Sequence, residues 1–473
     1  MFREINDFNK HRRNKKKTGN ITKDEMMEMI DKGEIDTLVL GFCDMQGRLM
    51  GKRITGDFIL ENDISEGTHF CNYLLGTNFE MDTDDGYDFM NWDKGYGDYL
   101  ALPDWNTLKV IPWMSRTAMV FADVYTVDGS EPISVAPRNI LQHQIKKAEA
   151  YGLSPHMASE LEFYLFNDSF KDINTQGYDE LEPAGHLNED YNLLQGSKNE
   201  PLYQEIRRQM SLMDIIVESS KGEAYKGQHE INLKYSDAIN AADQHLMFKH
   251  GMKEICIQND KSVTFMAKPF EEWTGSSGHI HLSMMDTKTG KNAFYAGDDA
   301  SNPMSETMQH FLAGVIKYTK DFVLMFAPNI NSYKRFAPNS WAPVSIAWSK
   351  DNRSAGYRVV GDGNALRFES RICGADMNPY LAYAALIGAG LYGIEHKETL
   401  TDELKGNAYE QNEVDRIPSS LHQAILEWKN SDVVKEVLGE EVAKHYLHAA
   451  QTEQDEYDSF VTTWERARYF EQG

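Results

Sequence analysis

The sequence predicts a mixed helix-and-strand protein organised in two parts, and three observations carry that reading. First, four segments alternate apolar and polar residues with the period of two that marks a strand: SELEFYLF at 159–166, GQHEINLKY at 227–235, GHIHLSM at 278–284 and ALRFESRI at 365–372. Second, 379–395 and 419–446 space their apolar residues at helical intervals. Third, the chain has 473 residues, 41% apolar and 26% charged. That is ordinary globular composition, long enough for a full core and for two or three domains.

Along the chain, a basic run of Lys10, Arg12, Arg13, Lys15, Lys16 and Lys17 defines an arm at 1–21. A solvated tail is its plain reading, and an anion-binding tail the alternative. A helix is expected from Thr22 to Lys32, with Thr22 and Glu25 forming a capping box. Strands follow at Thr37–Cys43 and Arg48–Ile54 around the turn Asp44–Gly47, and another at Thr117–Val127. A Pro-bearing stretch at Glu131–Pro137 then opens a helix near Arg138–Tyr151. The first domain is therefore set at 22–130 and the second at 131–473. Asn167–Pro201 is polar and rich in Gly, Asp and Asn, and a loop that long is usually functional. Gly388-Ala389-Gly390-Leu391-Tyr392-Gly393 fits GxGxxG but continues a helical run, so close helix packing explains it better than a dinucleotide site.

Several functional classes are excluded. A net charge of −25 repels nucleic acid and anionic membrane. The four cysteines, Cys43, Cys71, Cys256 and Cys373, signal neither a disulfide framework nor zinc. No apolar run approaches a membrane span, and no hydrophobic signal core opens the chain, so a cytoplasmic protein is expected. A P-loop is absent.

The chemistry is written on the polar faces of the four strands. Their apolar faces carry Leu161, Phe163, Leu165; Ile231, Leu233, Tyr235; Ile280, Leu282, Met284; and Leu366, Phe368, Ile372. The opposite faces carry Glu160 and Glu162, then Glu230, then His279 and His281, then Arg367, Glu369 and Arg371. A single such face usually points to solvent. Clustered carboxylates, however, repel one another unless a cation sits among them. Carboxylates with one His suit Mg²⁺ or Mn²⁺. Arg alternating with Glu suggests an anion held beside the metal, and the combination points to phosphoryl transfer. A further cluster, Arg335, Arg353 and Arg358, lies in a Pro- and Ser-rich stretch with Trp341 and Trp348, a poor match for solvated surface.

Taken together, NSYKRFAP, NRSAGYR, GSSGHIHLS, RFESR followed by ADMNPYLAYAA, and ELEFYLF resemble the glutamine synthetase superfamily of the bacterial class I type, from about Lys23 to the end. The resemblance implies an α+β fold, with a small N-terminal β-grasp-like domain before a catalytic domain built on a curved, barrel-like antiparallel sheet. It implies ATP as co-substrate and two to three Mg²⁺ or Mn²⁺ ions per site. One ion would be held by Glu162, Glu223 and Glu230, another by Glu160, His279 and Glu369. Arg335 and Arg371 would clamp the glutamate α-carboxylate, with Gly275 in the glutamate-binding loop. Arg353 and Arg358 would meet the ATP phosphates, and His281 the nucleotide side. The family's Asn before the loop glycine is Thr274 here. Homo-oligomers of two stacked hexameric rings, with active sites shared between subunits, are implied as well. Tyr409 falls where some relatives carry an adenylylated Tyr, but its surroundings match poorly and an ordinary surface Tyr is expected.

The chain departs from glutamine synthetases where the amine binds. Cys71 stands for the ammonium-binding Asp, and Trp341 for the Glu of a mobile flap. Phe70, Cys71, Tyr73, Leu74 and Trp341 would then form an apolar amine pocket. An aromatic amine is neutral at pH 7 and needs no anionic group, so the γ-glutamylanilide synthases are the first-ranked relatives. Polyamine or alkylamine γ-glutamylation ranks second, with an acid of the long loop supplying charge. A true glutamine synthetase and a non-catalytic structural relative follow.

Overall fold

A computed structural model describes residues 19–473; the basic residues Lys10–Lys17 lie outside them. The N-terminal portion holds a seven-stranded mixed sheet built from β1 (Gly19–Asn20), β2 (Thr37–Cys43), β3 (Leu49–Thr55), β4 (Thr68–Cys71), β5 (Asp98–Pro103), β6 (Lys109–Val110) and β7 (Thr117–Tyr125). The expected first helix spans Lys23–Asp31, and both capping-box bonds between Thr22 and Glu25 are made. The hairpin of β2 and β3 also matches its expectation, with β2 pairing β7 in parallel on its other side.

A nine-stranded sheet follows, in the order β14-β15-β16-β13-β8-β10-β9 with β11 and β12 on β8. Its strands are β8 (Leu153–Phe166), β9 (Val217–Gly222), β10 (Gln228–Leu233), β11 (Ser236–Asp237), β12 (Ser262–Thr264), β13 (Gly278–Asp286), β14 (Trp348–Lys350), β15 (Tyr357–Val360) and β16 (Arg367–Ser370). Every pairing is antiparallel except β14 with β15, and the path runs open from β14 to β9. The apolar faces are buried as expected, with one exception. The β10 register shifts at Asn232/Leu233 and the strand ends at Leu233, leaving Tyr235 exposed.

Helices back this sheet. Pro379–Glu395 is buried along nearly its whole length. A side chain at Gly390 would fall inside the Phe311 ring of the helix Glu306–Lys317, so the GxGxxG run serves helix packing. The expected 419–446 helix is three helices, Leu421–Asn430, Asp432–Leu438 and Glu440–Ser459. Ser431 caps the second, and Gly439, at φ 93°, breaks the third from it. The 167–201 stretch is likewise not all loop, because it contains the helices Phe170–Gln176 and Leu193–Gly196.

Two polar ties join the portions. Buried Arg138 donates to both Asp243 oxygens at 3.1 and 3.0 Å, to Asp104 at 2.9 Å and to Asp123. Asn378, which caps Pro379–Glu395, donates its side-chain amide to the carbonyls of Asp44 and Met45 at 3.0 and 3.1 Å.

Candidate active site

Strand register assembles the site. On one face, Glu162 of β8 sits opposite Glu230 of β10, Glu160 opposite His279 of β13, and Glu369 of β16 opposite both His281 and Arg358 of β15. Two acid-rich triplets result, Glu160–His279–Glu369 and Glu162–Glu223–Glu230, each with ligand-type atoms within 4.8 Å of one another. Glu223 lies just past the end of β9. Both triplets line a cavity of about 460 Å³ with Gly275, Arg335, Trp341, Arg353, Arg358 and Arg371.

The electrostatics are those of a cation site. Burial, reinforced by the Glu162 and Glu160 carboxylates, pushes Glu230 up to about 8. Burial also opposes ionisation of Glu369, but His279 and Arg371 outweigh it and bring the group down to about 2. Glu160 is held well below the usual carboxylate range, because hydrogen bonds from His279 and His281 overcome its burial. His279 has Nδ1 3.3 Å from both Glu160 and Glu369, while its Nε2 is buried without a partner, as is Asn232 Oδ1 on the same cavity. Lys221 places its ammonium on Glu223 and 3.6 Å from Glu230. Hard oxygen donors, one imidazole and unpartnered buried acceptors fit divalent cations such as Mg²⁺ or Mn²⁺.

The arginines differ in how they are held. Arg358 bridges Glu369 at 2.9 Å and Asp351 at 2.5 Å. Arg371 donates to Glu369 at 2.5 Å and to the Arg353 carbonyl at 3.2 Å. Arg353 itself is exposed. Arg335 is buried and donates to the carbonyls of Ile372 and Arg371 and to Ser277, at 2.8, 2.9 and 2.8 Å, leaving Nε without a partner. It faces no carboxylate of its own, the state of a cation awaiting an anion. Gly275 is required by this packing, since a Cβ there would lie 2.7 Å from Arg335 Cγ and 2.9 Å from the Ala267 carbonyl. Thr274 accepts from the Tyr164 hydroxyl at 2.7 Å through its carbonyl. His281 contacts Glu160 at 2.9 Å and accepts from Arg367 at 3.1 Å, outside the cavity lining.

The expected amine pocket is not assembled within one chain. Trp341 lines the cavity, is 65% exposed and sits in the left-handed region at φ 64°. Trp348 is buried, its indole donating to the Thr401 carbonyl at 2.8 Å. Cys71, Tyr73 and Leu74 lie away from the cavity. Phe70 faces the N-terminal core, stacked on Tyr99 and edge-on to Phe42, and is not part of this cavity's lining. Tyr409 is half-buried rather than on the surface, and its hydroxyl donates to the Ala342 carbonyl, next to Trp341, at 2.9 Å.

Sequence reasoning missed Lys221, Gln228 and Asp190. Gln228, Glu230 and Asn232 share a strand face by period two, and Lys221 pairs with Glu230 across β9 and β10, so that signal was present. Asp190 and Tyr191 reach the cavity from the 167–201 stretch, where no periodicity exists to read.

Among known proteins, the glutamine synthetase catalytic-domain family matches residues 134–469. A γ-glutamylethanolamide synthetase of Streptomyces coelicolor is 45% identical over 448 residues, covering 95% of this chain and 95% of that protein. A glutamate–isopropylamine ligase of a Pseudomonas species is 38% identical over 450 residues, covering 94% and 97%. The Thermotoga maritima glutamine synthetase is 32% identical over 460 residues, covering 95% and 99%. The solved structure of GmaS without ligand superimposes with a TM-score of 0.81 at 27% identity, covering 94% of this chain and 99% of that one.

Proposed function

The chain belongs to the glutamine synthetase family, and from that premise we propose that it is an ATP-dependent ligase joining the γ-carboxylate of glutamate to a short aliphatic amine. The carrying observation is one cavity lined by two carboxylate-rich triplets, unpaired arginine edges, Trp341 and Asp190. In the first step a γ-carboxylate oxygen attacks the terminal phosphorus of ATP, and ADP departs. In the second the amine nitrogen attacks the γ-carbonyl carbon, phosphate departs, and the nitrogen gives up a proton.

Glu160, His279 and Glu369 would hold one divalent cation and Glu162, Glu223 and Glu230 another. Bound cations would neutralise charge on the transferring phosphoryl group. Arg353 and Arg358 meet the phosphates from the β15 side. Arg335 and Arg371 face the α-carboxylate, with Gly275 keeping the backbone close.

The aniline-type reading rested on the loss of acids at Cys71 and Trp341. Asp190 on the cavity wall offers the charge and base that an alkylammonium needs. Relatives named for ethanolamine and isopropylamine favour the same class. A γ-glutamylalkylamide is therefore the proposed product, and the exposed Trp341 keeps a γ-glutamylanilide as the second reading. The distance of Cys71, Tyr73 and Leu74 from this cavity favours their serving a neighbouring subunit's site in a ring assembly.

Phosphate release with ATP, glutamate and Mg²⁺ or Mn²⁺ tests the reading across ethanolamine, isopropylamine, putrescine, aniline and ammonium. Turnover is expected with the first two, falling at least tenfold in Asp190→Asn. Preference for aniline would return the first-ranked amine of the sequence. Preference for ammonium would overturn the amine assignment, and no turnover would overturn the ligase reading.

A further inference from the structure

A second cavity, of about 700 Å³, lies between the β2–β3 turn (Gln46–Leu49), the helix Ala238–Gln258, the segment Asn329–Lys334 and the helix Glu440–Ser459. It shares no residue with the catalytic cavity. Its volume is in the range of small-molecule sites.

Its charges are what set it apart. Lys249 and Lys253 stand one turn apart on the long helix, and Lys334 faces in from the segment leading to Arg335. Lys249 is buried, and its ammonium donates only to the Ala375 carbonyl at 2.7 Å, 5.3 Å from the Phe265 ring centre. Lys334 sits 5.8 Å over the Tyr457 ring. Among the described residues none of the three has a carboxylate within 4.0 Å. The neighbouring cations are spoken for: Arg48 pairs with Asp44 at 2.6 Å, and His250 with Glu254 at 3.2 Å. Of the cavity's acids, Asp376 favours the charged form of Lys249, but from beyond ion-pair distance. Asp376 is engaged through one oxygen by Asn329 and Ser332, at 3.1 and 2.5 Å, and Glu453 repels Glu456, Glu80 and Asp84. Lys253 and Lys334 are exposed where they meet the cavity, so the unmet demand for negative charge centres on the buried Lys249, with the other two lysines at the mouth adding to it.

We propose that this cavity is a binding site for a small organic anion bearing at least two carboxylate or phosphate groups, held by Lys249, Lys253 and Lys334. The site is wired to the catalytic one. Lys334 immediately precedes Arg335, and Asp376, which fixes the Asn329–Ser332 turn, follows the strand end that carries Arg371. An anion bridging the long helix to Lys334 fixes the backbone from which Arg335 enters the catalytic cavity. Its binding and that of glutamate are then coupled, and the coupling is reciprocal.

Isothermal titration calorimetry on the full-length protein, with citrate, succinate and pyrophosphate as separate probes, tests this. One site per chain is expected, at least tenfold weaker in the double variant Lys253→Met/Lys334→Met and unchanged in Arg353→Gln/Arg358→Gln. Citrate or succinate alone would assign carboxylates, and pyrophosphate alone would assign phosphate groups. Lys334→Arg, which keeps the charge, should restore most of the affinity when combined with wild-type Lys253. Circular dichroism and light scattering establish that the variants fold and assemble as the parent does. Binding lost in the arginine variant but kept in the lysine variant would place the anion in the catalytic cavity and overturn the proposal. So would no binding of any probe at millimolar concentration, or a lysine variant whose only change is a smaller assembly, which would mean that a second copy supplies the negative charge. Because the readout is binding, these outcomes stand apart from those of the ligase assay.

Discussion

Glu230 offers the sharpest quantitative test. The folded, metal-free protein raises this carboxyl from 4.5 to about 8, through burial and then repulsion from Glu162 and Glu160. The folded state therefore binds more protons than the unfolded state between those values, so stability falls as pH rises through that window and stays low above about 8. The gap corresponds to a ceiling of about 5 kcal/mol. A divalent cation removes the cause, because it needs the ionised carboxylate and quenches the repulsion. At pH 7 the group is about nine-tenths protonated, so binding an ion at Glu162–Glu223–Glu230 should expel close to one proton. Apparent affinity should then rise about tenfold per pH step below 8 and level off above it. Titrating Mn²⁺ into metal-free protein by calorimetry, in two buffers of different ionisation enthalpy, reads that proton directly. Glu230→Gln should abolish the release, weaken the ion at least about tenfold, and flatten the loss of metal-free stability between pH 4.5 and about 8. A wild-type titration that releases no proton at pH 7, with affinity independent of pH, would refute the reasoning.

Three further substitutions probe other levels of the argument. Arg138→Met leaves Asp104, Asp123 and Asp243 facing one another. It should cost about 3–5 kcal/mol, read as a lower denaturant midpoint; an unchanged midpoint would mean the clamp is dispensable. Gly390→Ala presses a methyl into Phe311 and should cost about 1–3 kcal/mol with kcat/KM little changed at permissive temperature, whereas a purely catalytic defect would contradict the packing role. Tyr409→Phe removes the bond to the Ala342 carbonyl and should raise the amine KM roughly fivefold while leaving the glutamate KM within twofold; equal effects on both would show that Tyr409 does not act through the Trp341 segment.

The catalytic face was legible because its signal is geometric. Period-two alternation in four segments put Glu160, Glu162, Glu230, His279 and Glu369 on one side before any pairing was known, and the register β10-β8-β13-β16 then laid them in a row. Glu223 came only through the resemblance, because it follows β9 in a bend where no alternation holds. The same rule that found the acids separates Phe70 from Cys71. Adjacent residues of β4 face opposite sides, which buries Phe70 in the N-terminal core and leaves Cys71 half-buried on the other side. Tyr235 was misplaced because a bulge ends β10 two residues earlier, and bulges leave no mark in a hydropathy pattern. Asp190 had no local signal at all, since its place is fixed by where a long excursion returns to the sheet.

Pairing separates the structural charges from those that await a ligand. Arg138 is buried, yet its guanidinium meets three aspartates, so its charge is used up in joining the two portions of the chain. Among the described residues the Glu162–Glu223–Glu230 triplet forms ion pairs only with Lys221, and Lys249, Lys253 and Lys334 form none, although Asp376 and Glu453 line the same cavity. A buried charge short of counter-charge, such as Glu230 or Lys249, costs the fold free energy that a bound ligand of opposite sign returns. The two cavities therefore ask for ligands of opposite sign, cations and phosphates together in the first and an anion in the second. The single segment Asn329–Arg335 runs from the wall of one into the other, which makes it the element through which occupancy of the second would reach catalysis.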